Sequence, residues 1–228
     1  RTRPRDEAAG GTMRCETIAA LGGTPQPTAV TLAATRGGGW WMERSGAAMS
    51  ETGMGRRDQI LMTAVQLFRT SGYDRTSLRE IAGNLGLSKS GLYHHFPSKE
   101  ALLASLVDPL LDDLDALLQD HQRELEPPDR RAFLARYLDI LLAHRSVVNL
   151  IGREPAVAAD ARIGARLTEI NAALWCRLAG PDPDLSHEIR AVHAVAGLQD
   201  AVVRFADADP AVVRAAGLAA AVAALADT

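Results

Sequence analysis

A chain of 228 residues has room for one medium domain, or a small one and a larger one, and an apolar content of 47% supports a buried core. Its two cysteines, Cys15 and Cys176, suit neither a disulfide framework nor a zinc site, and no apolar run reaches the ~18–20 residues that span a bilayer, so no membrane partner is expected and a reducing cytoplasm fits. The formal net charge of −3 speaks against a nucleic-acid partner until its distribution is read: from Arg56 to Lys99 seven basic residues stand against three acidic ones, whereas from Leu106 to the end 12 stand against 19. A basic head on an acidic body turns the head toward phosphate. The only two lysines of the chain, Lys89 and Lys99, both lie in that head.

Residues 1–53 show no helical or strand periodicity and carry Gly10-Gly11, Gly22-Gly23, Gly37-Gly38-Gly39 and several prolines. They read as a disordered tail, or as a start-site artefact ahead of Met49 or Met54. Trp40-Trp41-Met42 reads as incidental. Arg3 and Arg5 are not followed by a continuous apolar core, so a secretory signal is not expected. Helical periodicity begins at Arg56. Ile60, Leu61, Ala64, Leu67 and Phe68 recur every three or four residues, which predicts a helix over 56–71 that stops at Gly72.

The segment 76–99 reads T-S-L-R-E-I-A-G-N-L-G-L-S-K-S-G-L-Y-H-H-F-P-S-K. Thr76 or Ser77 caps a second short helix, with Glu80 three residues beyond Ser77 as a capping box requires. Leu78, Ile81, Ala82 and Leu85 face inward, and Gly86 supplies the left-handed turn. Ser88 caps a third helix, anchored by Leu87, Leu92 and Phe96. The outer face of that helix is slim or polar: Ser88, Lys89, Ser90 and Gly91, then Tyr93. A helix that enters a DNA major groove needs such a face. Pro97-Ser98 breaks the chain, and a long fourth helix is predicted over 98–124, kinked at Pro109. Further helices are predicted at 129–144, 146–153, 158–179, 186–206 and 210–226. They are separated by Pro127-Pro128, Pro155, Gly180-Pro181-Asp182-Pro183 and Asp209-Pro210. No alternating strand pattern and no repeat is present. Residues 54–97 and 98–228 form two successive units.

From about Arg57 to Leu103 the chain resembles the tetracycline-repressor (TetR) family of bacterial transcription regulators. The likeness rests on Ile60, Ala64, Phe68, Gly72-Tyr73, Thr76-Ser77, Ile81-Ala82, Gly86, Ser88, Leu92-Tyr93-His94-His95-Phe96, Lys99 and Leu102, all in order and spacing. It implies an all-α fold: a three-helix, helix-turn-helix DNA-binding domain followed by a larger helical domain that binds a ligand and dimerises. It also implies a sequence-specific, ligand-responsive regulator, a repressor released from its double-stranded operator by a small molecule of unknown identity.

By the same resemblance, Lys89, Ser90 and Gly91 read bases, helped by Arg79 and Tyr93. Tyr93, His95, Lys99 and the cap at Thr76 or Ser77 hold phosphate, and His94 adds a polar neighbour. The bare helix amino end at Ser88 already places N–H groups and a hydroxyl near phosphate. The plainer reading makes Tyr93 a half-buried core residue and His94-His95 a solvated pair. No third ligand stands near the histidines, so neither a metal nor any cofactor is expected.

One reading helix makes too few base contacts for selective binding, so a twofold dimer is expected. Its surface is placed on the last two helices, where residues 191–198 and 215–225 are small and apolar; the alternative is that these faces pack only within one protomer. Tyr137, His144, Asn149, Asn171, Trp175 and Cys176, polar or aromatic residues within apolar helices, are the candidate effector contacts. Such an effector predicts an enclosed cavity of roughly 300–1,000 Å³ among the body helices, and a filled core predicts a body that binds a protein or nothing. An enzyme is the distant rival, because nucleophile elbow, metal quartet and dinucleotide fingerprint are all lacking. Gly86-Leu87-Ser88-Lys89-Ser90 echoes a phosphate loop without its glycine spacing or its strand.

Overall fold

The structure is a computed structural model that describes residues 55–120 and 127–226. The readings of 1–53, of Met54, and of a fourth helix reaching Glu124 lie outside the described residues. Among the described residues there are ten α-helices and no strand. They are α1 (Arg56–Ser71), α2 (Leu78–Asn84), α3 (Lys89–His95), α4 (Lys99–Asp120), α5 (Pro127–Ala143), α6 (Arg145–Arg153), α7 (Pro155–Ala158), α8 (Ala161–Ala179), α9 (Leu185–Arg204) and α10 (Pro210–Leu225).

The first three helices close around Ile60, Ala64, Phe68, Ile81, Leu92 and Phe96, all at most 1% exposed. These residues come from all three helices, so no one of them buries its apolar face alone. Phe68 meets Tyr73 edge to face, with ring centroids 5.0 Å apart. Leu102, Leu103 and Leu106 on α4 continue the same core into the body. There α9 is central and packs against α5, α6, α8 and α10.

The α4–α8 seam is ionic. Arg162 donates to Asp108 at 2.6 Å, and Arg166 reaches Asp112 at 3.1 Å and also Asp115. Those three aspartates recur one turn apart on α4, so a single face of that helix meets two arginines a turn apart on α8. The Asp115 carboxylate, ahead of Asp112, holds the Arg166 guanidinium above its ordinary pKa.

Two predicted boundaries are corrected. The helix expected over 158–179 starts instead at Ala161: Ala158 closes the short α7, and the Asp160 carboxylate accepts the N–H groups of Arg162 and Ile163 and so starts α8 afresh. Pro127-Pro128, expected to precede a helix, lies within the start of α5, where a missing N–H costs nothing. Pro109 does lie inside α4.

Candidate nucleic-acid interface

Local chemistry fixes the two helices that carry the interface. Ser77 caps α2 by accepting the Glu80 N–H at 3.2 Å. The chain then reverses at Gly86, whose φ of +63° favours glycine, and the Leu87 N–H bonds back to the Ala82 carbonyl at 2.9 Å. Ser88 caps α3 by accepting the Gly91 N–H at 3.1 Å, and its hydroxyl also lies 3.1 Å from that of Ser90. A Cβ on Gly91 would stand 3.2 Å from the Ser88 oxygen. Gly91 therefore keeps the cap uncrowded, a local duty beside the base reading expected of it.

Leu92, fully buried, pins α3 to the core, and Phe96 follows at 1% exposure. The opposite face is open. Ser88, Lys89, Ser90, Tyr93 and His94 are exposed, His95 is half-buried, and Arg79 on α2 and Ser77 are exposed. Tyr93 is 42% exposed, which sets aside the core reading of its ring, and the Lys89 ammonium lies 5.5 Å from that ring's centre. His94 and His95 stack edge to face at 5.8 Å. No group of three or more metal-ligating side chains exists among the described residues.

Two residues expected to hold phosphate have partners within the chain. Thr76 is 1% exposed, and its hydroxyl donates to the Gly72 carbonyl at 2.8 Å, with the Leu67 carbonyl at 3.3 Å. It braces the turn between α1 and α2 and leaves the capping to Ser77. The Lys99 ammonium donates to the carbonyls of Tyr73, Thr76 and Asp74 at 2.9, 3.3 and 3.4 Å and lies 4.2 Å from the centre of the Tyr73 ring. An ammonium has three hydrogens, and here three carbonyls of one turn take them. Burial first, and nearby carboxylates after it, push the Tyr73 phenol up to about 12. Sequence reasoning passed over Arg57, which donates to the Ser105 hydroxyl at 2.9 Å and covers the Phe96 ring at 5.1 Å.

In the body, four of the six candidate effector residues, Tyr137, Asn171, His144 and Asn149, fall into three separate hydrogen-bonded groups. Gln199 on α9 donates to the Tyr137 hydroxyl at 2.8 Å and to the Asn171 carbonyl oxygen at 2.9 Å. Tyr137 is fully buried, and that burial raises its phenol pKa. Trp175 lies one turn beyond Asn171 on α8, with its indole N–H buried and without a partner among the described residues. Cys176 is half-buried beside it. His144 is 5% exposed and lies 2.6 Å from the Asp113 carboxylate. Asn149 donates to the carbonyls of Arg145 and Val202.

Gln199 is the residue sequence reasoning missed. Its signal was a single amide among Ala191, Ala194, Val195, Leu198 and Val202, the buried residues of α9. A groove of about 550 Å³ lies between α4 and α5, lined by Asp113, Ala116, Leu117, Gln119, Arg136 and Ile140. It is open to solvent rather than enclosed, and none of the six residues lines it.

The family model of bacterial regulatory proteins, tetR family, matches residues 60–106, the same head. Over these residues the chain is similar to that family. Among relatives, the HTH-type transcriptional regulator EthR of Mycolicibacterium smegmatis is 35% identical over 107 residues, 47% of this chain and 46% of that protein. The nucleoid occlusion factor SlmA of Sodalis glossinidius is 34% identical over 84 residues, 35% of this chain and 42% of that protein. The chain thus spans less than half the length of the curated relatives it matches. The ketosteroid transcriptional regulator KstR2 of Mycobacterium tuberculosis shares the fold: TM-score 0.60 at 22% identity, over 75% of this chain and 93% of that one. The tetR-family head and the all-helical body are therefore both accounted for, and no described helix is long and apolar enough to cross a membrane.

Proposed function

We propose that this chain is a sequence-specific transcriptional regulator, a repressor that binds its operator as a homodimer and leaves it when a small molecule enters the body. The observation that carries the reading is the outer face of α3. Lys89, Ser90, Tyr93 and His94 stand exposed on a helix whose other side is locked by Leu92 and Phe96. A short, slim, polar face on a rigid mount suits a major groove, with Lys89 set to reach guanine O6 or N7. Ser77, Arg79, Ser88 and His95 flank it as phosphate or positioning contacts.

The reading puts the second copy on α9 and α10. Leu185 and Ile189 on α9 are 69% and 47% exposed, and Val212 on α10 is 62% exposed, with Ala215, Ala216, Ala219, Ala220 and Ala223 exposed on the same helix. Exposed apolar side chains of this kind support an association surface, and a twofold pair would set the heads roughly 34–36 Å apart or a multiple of it. The Tyr137–Gln199–Asn171 group, of which Tyr137 is fully buried, with the unpartnered Trp175 N–H one turn away, supports an effector contact at the α5–α8–α9 junction. The open α4–α5 groove favours a second reading, in which the body binds a protein or nothing; SlmA, which shares the head, is named for nucleoid occlusion rather than transcription.

Sequencing the DNA fragments that the purified protein retains would define the operator, and screening compounds for release would define the effector. Lys89→Ala should then lower discrimination between operator and random duplex by about 1–3 kcal/mol, roughly 5- to 150-fold. Parent-like discrimination would remove Lys89 from the reading face.

A further inference from the structure

We propose that Glu154 is a positioning residue that sets the angle of the DNA-reading head against the dimer-forming helices, with α6 as the rigid strut between them. The inference rests on the dimeric DNA-binding reading above. Its starting point is one hydrogen bond across 81 positions: the Tyr73 N–H in the head donates to Glu154 Oε2 in the body at 3.0 Å.

On the body side, α6 is fastened to the end of α9. Arg145 donates to the carbonyls of Phe205 and Ala208 at 2.7 and 2.8 Å, Asn149 to Val202 at 3.3 Å, and Arg153 to Val203 at 3.2 Å. These three donors are spaced four apart, so they share one face of α6. Their acceptors lie at and just beyond the carboxyl end of α9, where helix carbonyls lack intrahelical donors and the helix dipole is negative. Two guanidinium groups there match both the geometry and the charge. The approach is close as well, since a Cβ on Gly152 would lie 2.8 Å from Val203 Cγ2. The strut therefore follows α9 with little freedom.

On the head side, Glu154 acts at a fixed place. It precedes Pro155, which holds it out of the helical region; its φ is −111° and ψ is 95°. Its own N–H bonds to the Leu150 carbonyl at 3.0 Å, so the strut ends on it. The turn it grips is stiff. Gly72 stands at φ +87°, Thr76 bonds back to Gly72, and Lys99 holds three of the turn's carbonyls. The head is otherwise joined to the body through the continuous helix α4 and the packing of α1 on α6. A helical joint alone leaves rotation about its axis. The α1–α6 packing limits that rotation, and the Glu154 hydrogen bond adds the directional point that sets the angle.

The test uses the full chain with Glu154→Ala and Glu154→Gln, read on duplexes carrying two half-sites at varied spacing, on a single half-site, and by hydrogen exchange of residues 72–76. Glu154→Ala should bind a single half-site as the parent does, while its preference for the best spacing over the next falls by about tenfold. Glu154→Gln should keep the preference, because its carboxamide oxygen still accepts the Tyr73 N–H. Exchange of the Tyr73 amide should quicken in Glu154→Ala alone, without DNA present. A spacing preference unchanged in Glu154→Ala, a loss equal in both variants, or parent-like exchange at Tyr73 would each overturn the assignment. A parent that binds no duplex at all, yet shows the Tyr73 exchange difference, would overturn the DNA-binding reading and leave the joint itself standing.

Discussion

Replacing Thr76 by valine separates a structural hydroxyl from a DNA contact. The side chain is 1% exposed, and its single hydroxyl hydrogen points at the Gly72 carbonyl 2.8 Å away. Valine keeps the branching and nearly the volume, so no sizeable cavity opens, and the change is confined to one buried hydrogen bond. Loss of such a bond, with its acceptor left out of water, costs about 1–3 kcal/mol. Taking about 2 kcal/mol, and ~2–4 °C per kcal/mol for a chain of this size, the melting temperature should fall by roughly 4–8 °C. Circular dichroism gives the melt, and fluorescence anisotropy well below it gives operator affinity. The affinity should equal the parent's, because the hydroxyl never reaches the surface. Ser77→Ala is the counterpart: it loses an exposed cap worth about 1 kcal/mol and a group proposed to face DNA. A Thr76→Val variant that melts like the parent yet binds its operator fivefold more weakly would refute the reasoning.

Two further outcomes follow from the fold. An added Cβ at Gly197, on the outer side of α9, meets nothing within 4 Å. Gly197→Arg should therefore leave helicity intact and convert dimer to monomer in sedimentation; a surviving dimer would move the interface elsewhere. Burial raises the phenol pKa of both Tyr73, to about 12, and Tyr137. A group with a raised folded pKa contributes its full stability below the unfolded value of 10.0, and loses it as pH rises through the folded one. In a Tyr93→Phe background, tyrosinate absorbance should thus appear together with alkaline unfolding, and ionisation near pH 10 in that variant while still folded would show that the two rings are wet.

Where an element is declared by its own residues, the sequence reading and the structure coincide. The helix expected over 56–71 is α1, because its apolar stripe and the stop at Gly72 are both local. The same holds for Ser88 capping α3. The break at Asp160 was hidden because Ala158 and Ala159 carry helical periodicity straight through it, and only the folded turn lets the carboxylate take the N–H groups of Arg162 and Ile163.

The interface divides along the same line. The exposed row Lys89, Ser90, Tyr93 and His94 is legible, since one buried anchor, Leu92, fixes which way a two-turn helix faces. Thr76 and Lys99 are not, since their partners belong to the α1–α2 turn and become acceptors only once that turn has closed. A lysine in a basic head reads as a phosphate ligand, and nothing in the sequence announces the three carbonyls around it. Gln199 was overlooked because its two partners come from α5 and α8, and nothing near it in sequence announces either.

The charge asymmetry gains a structural meaning from these pairings. Much of the body's acid is matched on the spot: Asp108 by Arg162, Asp112 and Asp115 by Arg166, Asp139 by Arg214 and Asp200 by Arg204. These exposed or half-exposed pairs add little stability individually. They do cancel the local fields that would otherwise make particular faces of the body strongly repulsive, leaving a diffuse acidic excess. At physiological salt such an excess is screened beyond ~8 Å, so it cannot guide the protein from afar. It acts in the last approach, when a body turned toward the duplex is disfavoured and a head carrying Arg79 and Lys89 is not. The net charge of −3 is then no obstacle to DNA binding. It is the sum of a cationic head, proposed to dock, and an anionic body that would select which way round the molecule docks.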